Sequence, residues 1–340
     1  MRNAKREDPA VKRIFALLLC LALAVGAAAC SGQRSSAPEE TAVLTLVHDL
    51  PEDHLLHDTL TAWAEAVEEA SDGSLRLTII PADGQSAEID CLGQLRAGQA
   101  DMAKVSVAAL AEMRSEWKAL FVPYLFRDRD HYYDVMASEI MQELYGLTAG
   151  EGFIGLTWLE CGARSFYTAD KAIRTPADLQ GLRICAADRP MAADLVTALG
   201  GVPVSMDYGA ISAAMASGTL DGAEDTLAAM VDHAPATRYY CYDGHTRTPE
   251  ILVISTSAWN GLSEAQQAIL KETAAEMSEI YKAAWTGRES EFRAAAMEAD
   301  VTFVADVDTD AFRAACRPIW DQLRENDPTA WAVAERIRDF

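Results

Sequence analysis

Residues 162–225 read GARSFYTADKAIRTPADLQGLRICAADRPMAADLVTALGGVPVSMDYGAISAAMASGTLDGAED, and this stretch decides the fold. The apolar run Leu182–Ala186 predicts a strand that feeds a helix from about Met191 to Leu199, ended by the paired Gly200 and Gly201 as a glycine stop does. A short strand near Val202–Ser205 follows, then an amphipathic helix over Ile211–Ala216, and residues 218–225 turn into a further strand. One βαβ unit and the start of another are therefore laid end to end, with polar residues where strands finish and helices begin. Ligands of such sheets sit beyond the carboxyl ends of the strands.

The same grammar extends upstream. Thr41–Val47 alternates as a strand, Leu60–Ala70 as an amphipathic helix stopped at Asp72-Gly73, and Leu75–Ile80 as a second strand. A helix over Ile89–Ala97 and a strand over Ala100–Ala108 complete a β-α-β-α-β order, which implies a mainly parallel sheet covered by helices. Gly150-Glu151-Gly152-Phe153-Ile154-Gly155 satisfies the GxGxxG pattern of dinucleotide sites. It stands after a helix (Ile140–Tyr145) and before a strand (Phe153–Leu159), the reverse of what a phosphate-binding turn requires, so it reads as a plain turn. No HExxH, GxSxG or Walker A pattern occurs, and an enzymatic reading has no chemistry to rest on. Downstream, Ser263 and Gln266 form a capping box that opens a long helix to about Met297, with one glycine (Gly287) and no proline. A strand near Val301–Val304 and helices over Thr309–Asn326 and Thr329–Arg338 end the chain, with Trp320 and Trp331 expected in the core.

The first 29 residues carry five Lys or Arg and then an apolar run, Ile14–Ala29, too short to span a bilayer and ending in Ala27-Ala28-Ala29-Cys30. That pattern predicts a lipoprotein signal peptide over 1–29, acylation of Cys30, and a flexible tether over 30–40. Removing residues 1–29 takes away five of 29 basic and two of 52 acidic residues, leaving 24 against 50 and a net charge of −26. Such a surface argues against a nucleic-acid partner. The remaining cysteines, Cys91, Cys161, Cys185, Cys241 and Cys316, are odd in number and widely spaced, which suits small buried residues better than disulfides or a metal site. His48, His54 and His57 fall within ten residues, but no further partner has zinc-ligand spacing, so neither metal nor cofactor is expected.

RTPADLQGLRI, the run Gly200–Met206 and SGTLDGAED resemble the signature blocks of solute-binding proteins of tripartite ATP-independent periplasmic (TRAP) transporters, in the C4-dicarboxylate-binding DctP-like family. Asp83-Gly84-Gln85, Gln94–Met102, Pro123–Asp128 and Trp259–Gln267 match the family's other blocks in order. The resemblance implies a two-lobed α/β Venus flytrap fold, each lobe a mainly parallel sheet flanked by helices, with a long helix spanning the hinge. It divides the chain into lobe I over 41–161 plus 251–290 and lobe II over 162–250 plus 291–340. It implies a monomeric, lipid-anchored, extracytoplasmic receptor that closes on a small organic solute and hands it to membrane permease subunits, catalysing nothing. A receptor for an ABC importer or a sensor kinase is the alternative.

The family's carboxylate grip maps onto this chain unevenly. The arginine of its Gly-x-Arg block is Arg164, whereas the main bidentate arginine falls on Cys185 and the asparagine of the Gly-x-Glu-Asn block on Asp225. One positive charge is lost and one negative charge gained. A desolvated carboxylate deprived of its charged partner loses roughly 3–5 kcal/mol, or two to four decades of affinity. Either Arg189 supplies a replacement guanidinium, or the solute presents a polyol, amide or cationic group instead. Glu88, Lys104, Ser106 and Tyr208 are further candidates for the cleft.

Overall fold

A computed structural model describes residues 41–81, 91–186 and 190–340. The expected signal peptide, the tether with Cys30, Glu88 and Arg189 lie outside the described residues. The described residues form two compact units, one of 41–81, 91–106, 145–160 and 250–285, the other of 107–144, 161–186, 190–249 and 286–340. Residues 107–144, expected in the first lobe, thus belong with the second unit.

In the first unit, β1 (Ala42–Val47), β2 (Leu75–Ile80), β3 (Met102–Ser106), β4 (Phe153–Leu159) and β11 (Glu250–Ser255) form a sheet in the order β2-β1-β3-β11-β4. β1 runs parallel to β2 and β3, but β11 enters antiparallel to both neighbours, so the sheet is mixed. β3 stops at Ser106, and a short helix, Val107–Met113, replaces the last residues of the expected strand. The helix Leu55–Ala70 covers one face and buries Leu56, Leu60, Trp63 and Val67, a helical i, i+4, i+7, i+11 stripe.

The second sheet contains β5 (Ala163–Thr168), β6 (Arg183–Cys185), β7 (Val202–Val204), β8 (Gly222–Thr226), β9 (Tyr239–Cys241), β10 (Thr246–Arg247) and β12 (Thr302–Val304). Its order is β12-β9-β5-β8-β6-β7, with β10 paired to β5. β6, β7 and β8 are mutually parallel as the βαβ reading requires, while β5 is antiparallel to β8 and β9. The helices Pro190–Ala198 and Ile211–Ala216 occupy the expected connections.

The long helix runs Glu264–Glu298, 35 residues or roughly 50 Å. The capping box is present: the Ser263 amide donates to Gln266 Oε1 (3.0 Å) and the Gln266 amide to Ser263 Oγ (3.2 Å). Its first part packs in the first unit, where Trp63 Nε1 donates to Thr273 Oγ1 at 3.0 Å and Ser278 Oγ to the Trp158 carbonyl at 2.6 Å. At the end of the chain the expected helix 309–326 is two helices, Thr309–Ala315 and Arg317–Asn326. Pro318 sits at the start of the second, where its missing N–H costs nothing. Trp320 and Trp331 are half-buried and meet edge to face at 6.1 Å.

Candidate solute-binding site

The site residues of the second unit are set by β5 and β8. Gly222 opens β8 where a Cβ would meet the Tyr167 carbonyl at 2.3 Å, so the glycine of the Asp-Gly-Ala-Glu-Asp run is required for the two strands to meet. Arg164 pairs with Thr226 and Ser165 with Asp225. Side chains alternate along a strand, so Arg164 and Glu224 share one face of the sheet, and Tyr167, Asp225 and Cys185 the other.

On the first face all three nitrogens of Arg164 bond within its own chain, using three of its five N–H groups. Its Nε donates to Glu224 Oε2 (2.6 Å), Nη2 to the Glu224 carbonyl (2.7 Å) and Nη1 to Asp225 Oδ1 (2.8 Å). Glu224 is 1% exposed and Arg164 15%, so the pair is dry and the Coulomb attraction is little screened. Asp225, at 23%, forms the outer edge. The notch lined by Arg164, Glu224, His245 and Met191 is only about 20 Å³, room for a single water.

Behind Arg164 the charges continue inward. Glu224 Oε2 also meets His245 Nε2 at 3.2 Å, His245 Nδ1 meets Asp243 Oδ2 at 2.6 Å, and Asp243 Oδ1 accepts from the Phe166 amide at 2.8 Å. Burial opposes a charge on His245, but Asp243 and Glu224 outweigh it and raise its pKa from 6.5 to about 9. The imidazole is therefore a cation at neutral pH. Burial would raise the Glu224 pKa, yet Arg164 and His245 drive it far below the usual carboxylate range. Among the described residues the cluster holds Arg164 and His245 against Glu224, Asp225 and Asp243, one net negative charge.

A pH dependence follows from His245. Its folded pKa lies above the unfolded value, so its stabilisation is complete below pH 6.5 and is lost as pH rises through about 9. Urea midpoints measured from pH 6 to pH 10 should fall by an amount on the order of 3 kcal/mol in unfolding free energy. His245→Gln should remove most of that slope. A wild-type profile that is flat over this range would contradict the assignment.

On the opposite face Cys185 is 6% exposed and packs in an apolar cluster with Tyr167, Ile211, Met215 and Leu220. Burial raises its thiol pKa, with Glu224 and Asp225 adding to the shift. Its side chain is thus a core residue beside the site and offers no charge to a solute. Tyr208 is 46% exposed, but its hydroxyl is already committed to the Ala229 carbonyl (3.0 Å) and Asp232 Oδ2 (2.9 Å). What it can present is its ring, 4.6 Å from that of His233. Lys104 and Ser106 belong to the first unit. Lys104 is buried and salt-bridged to Asp49 (2.8 Å) and Glu250 (3.0 Å), and Ser106 ends β3 opposite Glu250. His48 Nε2 lies 3.1 Å from His57 Nδ1, and His54 caps the following helix through Nδ1. Burial first, then His57, lowers the His48 pKa to about 4, so it is neutral at pH 7. Among the described residues no group of three or more His, Cys, Asp or Glu is placed to hold a metal ion.

The family model for bacterial extracellular solute-binding protein, family 7 (DctP) matches residues 46–327. The chain belongs to the DctP family. It is 33% identical over 285 residues to the uncharacterized protein YiiZ of Salmonella typhimurium, covering 83% of this chain and 86% of that protein. A TRAP periplasmic solute-binding protein of Anaerococcus prevotii, solved with bound D-glucuronate, is 29% identical with a TM-score of 0.76, over 88% of this chain and 98% of that one. One from Sulfitobacter sp. NAS-14.1, solved with bound β-D-galacturonate, aligns at a TM-score of 0.78 and 23% identity, over 88% of this chain and 100% of that one.

DctP-family proteins are solute receptors rather than a class of enzymes, and their fold accounts for both sheets. In this member, no helix among the described residues is long and apolar enough to cross a membrane. Sequence reasoning singled out Arg164 and Asp225, which the structure brings together, but not Glu224, Asp243 and His245 beside them. Glu224 had a visible signal, a second acid beside Asp225 at the end of a strand. Asp243 and His245 flank a glycine in a turn, and nothing in their spacing ties them to Arg164.

Proposed function

We propose that this DctP-family protein is the extracytoplasmic receptor of a TRAP-type, ion-gradient-driven transporter, anchored through Cys30, and that it captures a small polyhydroxylated solute for delivery to membrane permease subunits. The solute is of hexose size and meets the Arg164 edge with a neutral or cationic group. The observation that carries this reading is the engagement of all three donor nitrogens of Arg164 by Glu224 and Asp225. A guanidinium so held is already neutralised by two carboxylates and attracts a third only weakly, although one N–H on each terminal nitrogen remains, and in the family resemblance Cys185 stands in place of the other arginine. The glucuronate and galacturonate in solved relatives support the size and polyol character of the ligand. They also favour a second reading, a sugar acid whose carboxylate is taken by Arg189.

Thermal-shift titration of the processed chain against hexoses, alditols, amino sugars and hexuronates separates these readings. A ligand at a hundred times its Kd adds about 2.7 kcal/mol of stability. Neutral or amino sugars that raise the midpoint support the primary reading. Stabilisation by hexuronates that disappears in Arg189→Ala establishes the second, and no response to any class would overturn both.

A further inference from the structure

The second unit holds another cavity, of about 220 Å³, bounded by the segment Val122–Arg129, the turn 243–247, Thr309 and Arg313. It has room for about seven waters. Four of its lining residues are arginines, Arg127, Arg129, Arg247 and Arg313, against two acids, Asp128 and Asp243. In a chain with a formal net charge of −23 this is a local reversal of sign.

The two acids are already used. Asp128 caps the helix Arg129–Met136 by accepting from the His131 amide at 2.8 Å, and Asp243 pairs with His245. Arg127 donates to the Arg338 carbonyl at 3.2 Å and has no carboxylate within salt-bridge distance among the described residues. Arg313 donates to the Arg127 carbonyl at 2.8 Å, and its acid, Asp310, stands 3.7 Å away and 94% exposed, a weak pairing. Arg129 is paired with Glu289 at 2.5 Å, and Arg247 lies over the Tyr132 ring at 5.2 Å. Two further features converge on the cavity at Tyr124. Its backbone is left-handed, φ 57°, pinned by donation from its amide to the His245 carbonyl at 2.7 Å, and its buried hydroxyl lies beside the Asp243 carboxylate. A non-glycine residue held in that region costs on the order of 1–3 kcal/mol, and such outliers concentrate at binding sites.

We propose that this cavity is an anion site, separate from the solute site, that takes a small oxyanion such as a phosphate or a short carboxylate. Arg127 and Arg313 supply planar donor forks to it, and the Tyr124 hydroxyl turns from Asp243 to donate to one of its oxygens. His245 lines both this cavity and the notch beside Arg164, so an anion here also favours the imidazolium that steadies Glu224.

The test is isothermal titration of the processed full chain with inorganic phosphate and, separately, with succinate, at ionic strength held constant with sodium chloride. Saturable binding of either probe, weakened at least tenfold in Arg127→Gln and several-fold in Tyr124→Phe but unchanged in Arg174→Gln, an exposed arginine outside the cavity lining, supports the site, and the stronger probe identifies the source of the oxyanion. Arg127→Gln removes only one hydrogen bond to an exposed carbonyl, and Arg127→Lys, which keeps the charge, should recover part of the affinity. The proposal is overturned if neither probe saturates, if both variants bind as the wild type does, or if Arg174→Gln weakens binding as much as Arg127→Gln.

Discussion

Arg164→Met should lower the unfolding free energy by about 3–5 kcal/mol with no solute present, because it leaves Glu224 as a buried carboxylate stripped of its principal cation. Glu224 is 1% exposed and receives two bonds at Arg164, one to its carboxylate and one to its carbonyl. His245 at 3.2 Å remains but is itself shared with Asp243. The double variant Arg164→Met/Glu224→Gln should recover most of the loss, since it removes both charges and leaves a neutral amide beside His245. Urea denaturation of the four forms measures the coupling directly. An arginine waiting to grip a solute would behave differently, its removal costing little in the solute-free protein, so a loss below about 1 kcal/mol would contradict the structural role.

Asp225→Asn should convert the site toward acids. Arg164 Nη1 loses its carboxylate partner, and the amide that replaces Asp225 repels no approaching anion. One regained charge-assisted hydrogen bond is worth about 1.5–3 kcal/mol, so the affinity for a hexuronate should rise by about ten- to a hundredfold. Folding should be affected only modestly, because the Arg164–Asp225 pair lies at the partly exposed edge of the cluster. Titration calorimetry of the variant against the wild type decides this; unchanged or weaker uronate binding would show that Asp225 does not exclude the carboxylate.

The parts of this molecule that could be read from sequence are those whose causes are local. Leu75–Ile80, Phe153–Leu159 and Ile211–Ala216 form the predicted elements with the predicted bounds, because alternation, helical periodicity and flanking glycines act within a few residues. The antiparallel entry of β11 between β3 and β4 was not legible, since the strand finds neighbours about 150 and 100 residues away in sequence and nothing in its composition records their direction. The site divides in the same way. Arg164 and Asp225 fall in recognisable blocks, and the resemblance sets Cys185 where an arginine is expected. That Arg164 is consumed by its own chain depends on register: the pairing of Arg164 with Thr226 puts Glu224 on its face, and the turn at Gly244 brings His245 behind it. Lys104 illustrates the converse, a plausible solute contact whose charge is spent on Asp49 and Glu250.

Calorimetric titration of the processed wild-type chain with D-glucuronate, D-glucose and D-glucosamine at pH 7 tests most directly whether Arg164 is closed to carboxylates. The three share a pyranose frame and differ in the charge they bring. The engagement of Arg164 by Glu224 and Asp225 predicts that glucuronate binds no more tightly than glucose, and that glucosamine at least equals it. Glucuronate binding a hundredfold more tightly than glucose, and losing that advantage in Arg164→Met, would contradict the account.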